Sequence, residues 1–245
     1  MQEEIFISGR DLPKIDPNLE IWHFPIALYL FLGGLAAGII FFAALFTVLN
    51  KEKQVPAVVK YAMIIVPIAF TIGLLALFYD LTHKLYFWQL YTTIRLESPM
   101  SWGAWVLLVI TPLSYLWVFS YFSEIIPTWK LPFKFLNQLE VFLVKNRKIM
   151  AIILLPLAII LGIYTGILLS AFNSRPLWNN SILGPLFLTS GLSTGAAAIL
   201  LLSKTHFEKS LFTKIDLALI IVELALIITH DHGYVCRFCS STGGT

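Results

Sequence analysis

Apolar residues run through this chain in long blocks, and the polar residues collect between them. Six blocks are long enough to cross a bilayer as helices, at residues 23–49, 58–79, 102–123, 149–172, 182–203 and 213–229. None of them alternates polar with apolar positions, which argues against the strands of a membrane barrel. The pattern predicts an all-α integral membrane protein of about six transmembrane helices. In SPMSWGAW, Ser98 and Pro99 read as the N-cap and first residue of the third helix.

Composition agrees with that class: 58% of the 245 residues are hydrophobic and only 13% are charged. A soluble fold cannot hide so much apolar surface. The net charge of +3 carries no nucleic-acid signature. Cys236 and Cys239 are the only cysteines; they form neither a disulfide framework nor a four-ligand metal set, so no metal is expected. The first twenty or so residues are acidic and mixed, unlike a cleavable leader.

Lysine and arginine set the expected orientation. With the N-terminus outside, the inner segments hold Lys51, Lys53, Lys60, Lys130, Lys134, Lys145, Arg147, Lys148, Lys204, Lys209 and Lys214. The outer segments hold Arg10, Lys14, Lys84, Arg95, Arg175 and Arg237. Basic residues favour the cytoplasmic side, so both termini are expected outside, across the cytoplasmic (inner) membrane. Trp22, Trp88, Trp102, Trp105 and Trp178 then form an outer aromatic belt.

The first and fifth helices each carry small residues four apart, Gly34/Gly38 and Gly191/Gly195, the spacing that lets two helix backbones touch. LFLGGLAAG (30–38) and FLTSGLSTG (187–195) align at an offset of 157 residues. Four helices separate their starts, which predicts a four-helix unit duplicated in parallel. The domains then read as an outer N-terminal segment (1–21), a first bundle carrying the candidate site (22–172), a partial second bundle (173–229) and a polar tail (230–245). At that offset residue 245 corresponds to residue 88. The second bundle is thus expected to lack two helices, through truncation or because another subunit supplies them.

Ionisable groups at membrane depth need a reason. Glu223, in IIVELALII, reads either as a proton relay or as a protonated structural carboxyl. Asp216, nearer the end of the same segment, reads as interfacial. In FYDLTHKLYFW (78–88), Asp80 and His83 lie three residues apart on one helical face. They are either a solvated helix end or a pair that accepts the two protons of a bound hydroquinone. Tyr164 and Tyr29 lie at similar depth, as hydrogen-bond donors to a quinone carbonyl or as packing. No histidine falls well inside an apolar block, so the paired ligands of a membrane haem are not expected.

WHFPIALYLFLGGLAAG (22–38), YDLTH (79–83), SPMSWGAW (98–105), YTGILLSAFNSRPLWNN (164–180) and FLTSGLSTGAA (187–197) resemble the NrfD-like, polysulfide reductase membrane-subunit family. The resemblance implies a haem-free subunit that exchanges electrons between membrane quinone, such as menaquinone, and a peripheral iron–sulfur protein. That ferredoxin-like partner often feeds a molybdopterin catalytic subunit. The terminal substrate is then not transformed on this chain. The family's acid at the outer end of the second helix falls on Asp80. His83 stands where the family commonly has arginine, which alters the local electrostatics. The family's polar position on the first helix falls near Tyr29 and its fourth-helix tyrosine near Tyr164. Arg95 and Arg175 would contact an acidic iron–sulfur subunit or lipid headgroups. A different class, a proton-coupled transporter or a structural anchor, is suggested by Glu223 and by Pro67, Pro112 and Pro156, should those prolines break their helices.

Overall fold

The computed structural model describes residues 24–81, 84–92, 99–125, 134–170 and 182–242. In chain order the helices are α1 (Phe24–Val48), α2 (a π-helical turn over Ala57–Ala62 running on as α-helix through Met63–Asp80), α3 (Gln89–Thr92), α4 (Pro99–Ser120), α5 (Phe122–Ile125), α6 (Lys134–Lys145), α7 (Arg147–Ser170), α8 (Leu183–Leu202) and α9 (His206–Thr242). No strand occurs among the described residues. Among the described residues five helices are long and apolar enough to cross a membrane: α1, α2, α4, α7 and α8. Their bounds lie within three residues of those expected. The sixth expected span lies inside α9 but is not among the five. Lys214, Asp216 and Glu223 all fall within residues 213–229, and they dilute its apolar character.

Helix α1 packs against α2, α7 and α8, α7 also meets α4, and α4 closes on α2. Helices α1, α2, α4 and α7 therefore form a four-helix ring. Helix α8 lies on its α1–α7 side, and α9 packs on α8. The sequence of α1 suits its central place. Ala36, Ile39, Ile40 and Ala43 are fully buried, so neighbours approach from more than one side. Its C-terminus is closed by Asn50, which adopts a left-handed φ of 55°. The Asn50 N–H donates to Thr47 O at 3.0 Å and the Lys51 N–H to Phe46 O at 2.9 Å, an arrangement asparagine tolerates well.

The two glycine pairs face each other. A Cβ on Gly38 would collide with the Gly191 carbonyl and sit 3.1 Å from Gly195 Cα. A Cβ on Gly195 would lie 2.6 Å from the Gly38 carbonyl carbon. Gly34 meets Gly191, so the equivalent glycines pair in register and α1 and α8 run parallel. Phe212 of α9 adds ring contacts to Phe42 and Phe46 of α1, with centroids 5.4 and 5.8 Å apart.

Pro67, Pro112 and Pro156 lie inside α2, α4 and α7, and all three helices run on past them. Thr71 Oγ1 donates to the Pro67 carbonyl at 2.6 Å, and Tyr115 Oη donates to the same carbonyl at 3.3 Å. Side-chain hydroxyls thus supplement the backbone bonds near a proline. The broken helices that would favour a transporter are not present among the described residues.

The end of the bundle opposite Asp80 is rich in lysine and tied by ions. Glu124 in α5 pairs with Lys60 at 2.6 Å and with Arg147 at 2.8 Å, joining α2, α5 and α7. The Arg147 guanidinium also donates to the Ser120 carbonyl and lies over the Tyr121 ring at 3.6 Å. Tyr121 Oη donates to Glu52 at 3.1 Å. Burial pushes the Glu124 carboxyl up, but the bonds from Lys60 and Arg147 outweigh it and hold the group below its ordinary 4.5.

Two outcomes are expected. Gly38→Ala forces α1 and α8 apart and costs about 1–3 kcal/mol of stability by overpacking. Gly34→Ala, whose Cβ would sit an ordinary 3.7 Å from Gly191 Cα, is tolerated. Thermal unfolding in detergent ranks the two, and equal stability would contradict the crossing. A depressed carboxyl contributes stability above its unfolded value that is lost as pH falls through the folded one. Wild type is therefore more stable than Glu124→Gln at neutral pH, and unfolding midpoints should converge as pH drops below about 4.5.

Candidate functional site

Near the Asp80 end, phenol side chains from two spanning helices rest on glycines of two others. Tyr29 lies five residues inside the start of α1 and Tyr164 six residues inside the end of α7, about one and a half turns in each case. Both are buried, at 8% exposure. Each rests on a glycine of a neighbouring helix. The space that a Cβ on Gly103 of α4 would occupy is filled by the Tyr164 ring and hydroxyl. Tyr29 Cδ2 lies 3.5 Å from where a Cβ on Gly73 of α2 would stand. The glycines leave the flat faces on which these rings lie. Tyr29 is within electrostatic reach of Tyr164 and of Tyr91, a half-buried residue on α3. The result is a layer of three phenols contributed by α1, α3 and α7.

Asp80 is the last residue of α2 and is half-buried. Seven residues separate it from Gly73, close to two full turns, so the two share a face. Asp80 therefore continues, about 10 Å nearer the helix end, the face of α2 that Tyr29 covers. Aromatic groups surround this rim. Phe78 and Phe87 meet edge to face at 6.0 Å, and Lys84 Nζ lies 4.7 Å from the centre of the Tyr79 ring. Trp88, Trp102 and Trp105 are 40–55% exposed at this end. His83, Arg95 and Arg175 lie outside the described residues, as do Trp22, Trp178 and the cap residue Ser98.

Asp216 differs from its expected interfacial place. Ser193 Oγ donates to its carboxylate at 2.6 Å, and Ser193 lies near the middle of α8. The helix begins at His206 rather than near residue 213, so its first turns form earlier and Asp216 reaches membrane depth. Glu223, seven residues further along the same face, is half-buried and makes no hydrogen bond or ion pair among the described residues. Tyr91 and the two seat glycines were not legible as site residues. Gly103 lay within a quoted motif, but nothing in the sequence pairs it with Tyr164. No cluster of three or more metal-ligating side chains occurs among the described residues.

Residues 13–236 match the family model described as "Polysulphide reductase, NrfD". The chain belongs to this family. It is 37% identical over 195 residues to the C subunit of polysulfide reductase from Wolinella succinogenes, covering 79% of this sequence and 61% of that one. It is 30% identical over 244 residues to Protein NrfD of Escherichia coli, covering 91% of this sequence and 77% of that one. It is 32% identical over 233 residues to the Protein NrfD homolog of Haemophilus influenzae, covering 89% and 71%. Five apolar spanning helices and family membership together make it a multi-pass membrane protein.

Gly103→Ala tests the phenol layer. The added methyl must displace the Tyr164 ring, so tyrosine fluorescence and ligand protection at this end should change while helix content does not. Gly103→Ala combined with Tyr164→Ala relieves the clash and should recover the stability lost by Gly103→Ala alone. Absence of that coupling would mean that the ring does not rest on Gly103.

Proposed function

We propose that this protein is a haem-free membrane subunit of a respiratory oxidoreductase complex, exchanging electrons between membrane quinone or quinol and a peripheral iron–sulfur subunit. The observation that carries this is the buried layer of Tyr29 and Tyr164, seated on glycines and flanked at its rim by Asp80, in a protein of this family. Phenol hydroxyls are donors to quinone carbonyls, and the aromatic rim beside Asp80 suits contact with a flat ring. Oxidation of one quinol releases two electrons and two protons. Asp80 accepts one proton and His83 the other, and the electrons leave singly to an iron–sulfur centre in the partner. Nothing on this chain stores them. The terminal substrate is transformed elsewhere, on a molybdopterin subunit reached through that partner.

The Asp80 end is assigned to the outer, periplasmic side of the inner membrane, with the N-terminus outside, since the opposite end carries most of the lysines. Arg95 and Arg175 then lie on the side where an acidic iron–sulfur subunit docks. Helices α8 and α9 are read as the start of a second bundle. Leu217, Ile221, Leu224 and Ile228 of α9 are 54–59% exposed and suit contact with lipid or further helices. Glu223 is assigned to proton transfer within that part.

The purified complex tests the reading. Asp80→Asn keeps the shape of the carboxyl but not its basicity, and a lost proton acceptor costs about 10²–10⁴-fold in turnover. Quinol-dependent turnover should fall by that order with assembly unchanged. Tyr164→Phe should weaken a fluorescent quinol-site inhibitor by about five- to tenfold, the worth of one hydrogen bond. Normal turnover and unchanged inhibitor binding in correctly assembled variants would remove this layer from the mechanism.

A further inference from the structure

The lysine-rich end has a charge imbalance that the sequence alone conceals. Four acidic residues belong to it among the described residues, and each is held by a bond within the bundle, with Glu208 and Glu140 buried and Glu124 partly exposed. Glu208 is 1% exposed and accepts the Ala57 N–H at 2.9 Å, capping the start of α2 from α9. Glu140 is 8% exposed and accepts from Ser123 N at 3.1 Å and Ser123 Oγ at 2.8 Å. Glu52 is bound by Tyr121 and Glu124 by Lys60 and Arg147. Lys51, Lys53, Lys145, Lys204 and Lys209 are exposed at the same end. The acids are spent on holding helices together, and the surface is left with lysines.

Helix α6 lies among them and belongs to no membrane span. One face is fixed to the bundle: Leu143 is buried, Leu139 packs on the core, and Glu140 binds Ser123. Phe135 and Phe142, seven residues apart on an adjoining face, are 71% and 61% exposed. Gln138 and Lys145 fall three or four positions from these rings, on the same exposed stripe, whereas Asn137 is exposed on the far side of the helix. Exposed phenylalanine beside lysine on one stripe describes a helix lying along an interface, its rings in the apolar layer and its charge at headgroup level.

We propose that this end is a binding surface for anionic phospholipid: α6 lies in the plane of the adjacent leaflet, Phe135 and Phe142 reach below the headgroups, and Lys145, Lys204 and the neighbouring lysines hold the phosphates. The occupant is the bilayer surface and not an acidic soluble protein, because the Phe135–Phe142 flank needs an apolar medium beside the charge. Juxtamembrane lysines each gain about 1 kcal/mol from an anionic surface, close to fivefold in affinity.

The full-length protein in nanodiscs, with Cys236→Ser and Cys239→Ser as background, tests this. A fluorophore at Phe142→Cys should be quenched by lipid bearing a nitroxide near the headgroup and shielded from aqueous iodide. The same fluorophore at Asn137→Cys, on the far side of the helix, should show the opposite pattern. Equal iodide access at the two positions would overturn the in-plane placement. Enrichment of labelled phosphatidylglycerol over phosphatidylcholine around the protein should fall about fivefold with Lys145→Gln and disappear in high salt. Lys84→Gln, at the other end, should leave it unchanged. Enrichment that ignores both lysine and salt would overturn the charge assignment.

Discussion

Where Gly38 of α1 meets Gly191 and Gly195 of α8, two helix backbones touch with no side chain between them. In a bilayer no water is expelled when helices associate, so close packing and its dispersion energy must do what hydrophobicity does in soluble proteins. That contact fixes the register of α8 on the four-helix ring, and α9 follows because it packs on α8. Phe212 then sets the angle of α9 by wedging between Phe42 and Phe46 of α1. Gly34 meets Gly191 and Gly38 meets Gly195, so the contact is near-symmetric.

The two ends of the ring are held by different forces. At the lysine-rich end, Arg147 and Lys60 converge on Glu124, and Trp117 Nε1 donates to the Val59 carbonyl at 3.1 Å within the π-helical turn of α2. Those bonds are directional and rigid. At the Asp80 end the helices are joined by rings lying on glycines, which fill space without locking it.

The long apolar blocks made five helices legible, because a bilayer leaves a helix few other ways to satisfy its backbone. Proline at the start of α4 was legible for the same local reason, its fixed φ and missing N–H. The pairing of Gly34/Gly38 with Gly191/Gly195 was not, since a small-residue pair marks a contact without naming its partner. Glu124, Lys60 and Arg147 lie on three separate elements, and three lysine- and acid-bearing loops offered many equal pairings. Asp216 was misplaced because hydropathy locates the apolar part of a helix, whereas the hydrogen-bonded helix began a full turn and more earlier, at His206. The placement of Asp80, Tyr29 and Tyr164 towards one end of the bundle was legible from their positions along the helices. Tyr91 was hidden in a short aromatic loop where every residue looked like interface.

The position of Tyr164 shows how the distant contacts reach the site. Its helix, α7, is pressed on one side by α4 through Gly103 and on another by α8 through Gly162 and Gly166. A Cβ on Gly162 would lie 2.7 Å from Leu188 Cδ1, and one on Gly166 would lie 2.6 Å from Gly184 Cα. Gly166 is two residues from Tyr164 and Gly162 two residues before it, so the phenol projects from a segment clamped above and below. The same face of α8, further along at Gly191 and Gly195, rests on α1 at Gly38. A shift of α8 along α1 would therefore be transmitted through two backbone contacts to α7 and would move the phenol relative to Tyr29. The crossing of α1 and α8 is far from Asp80, yet through α8 it reaches the helix that carries Tyr164.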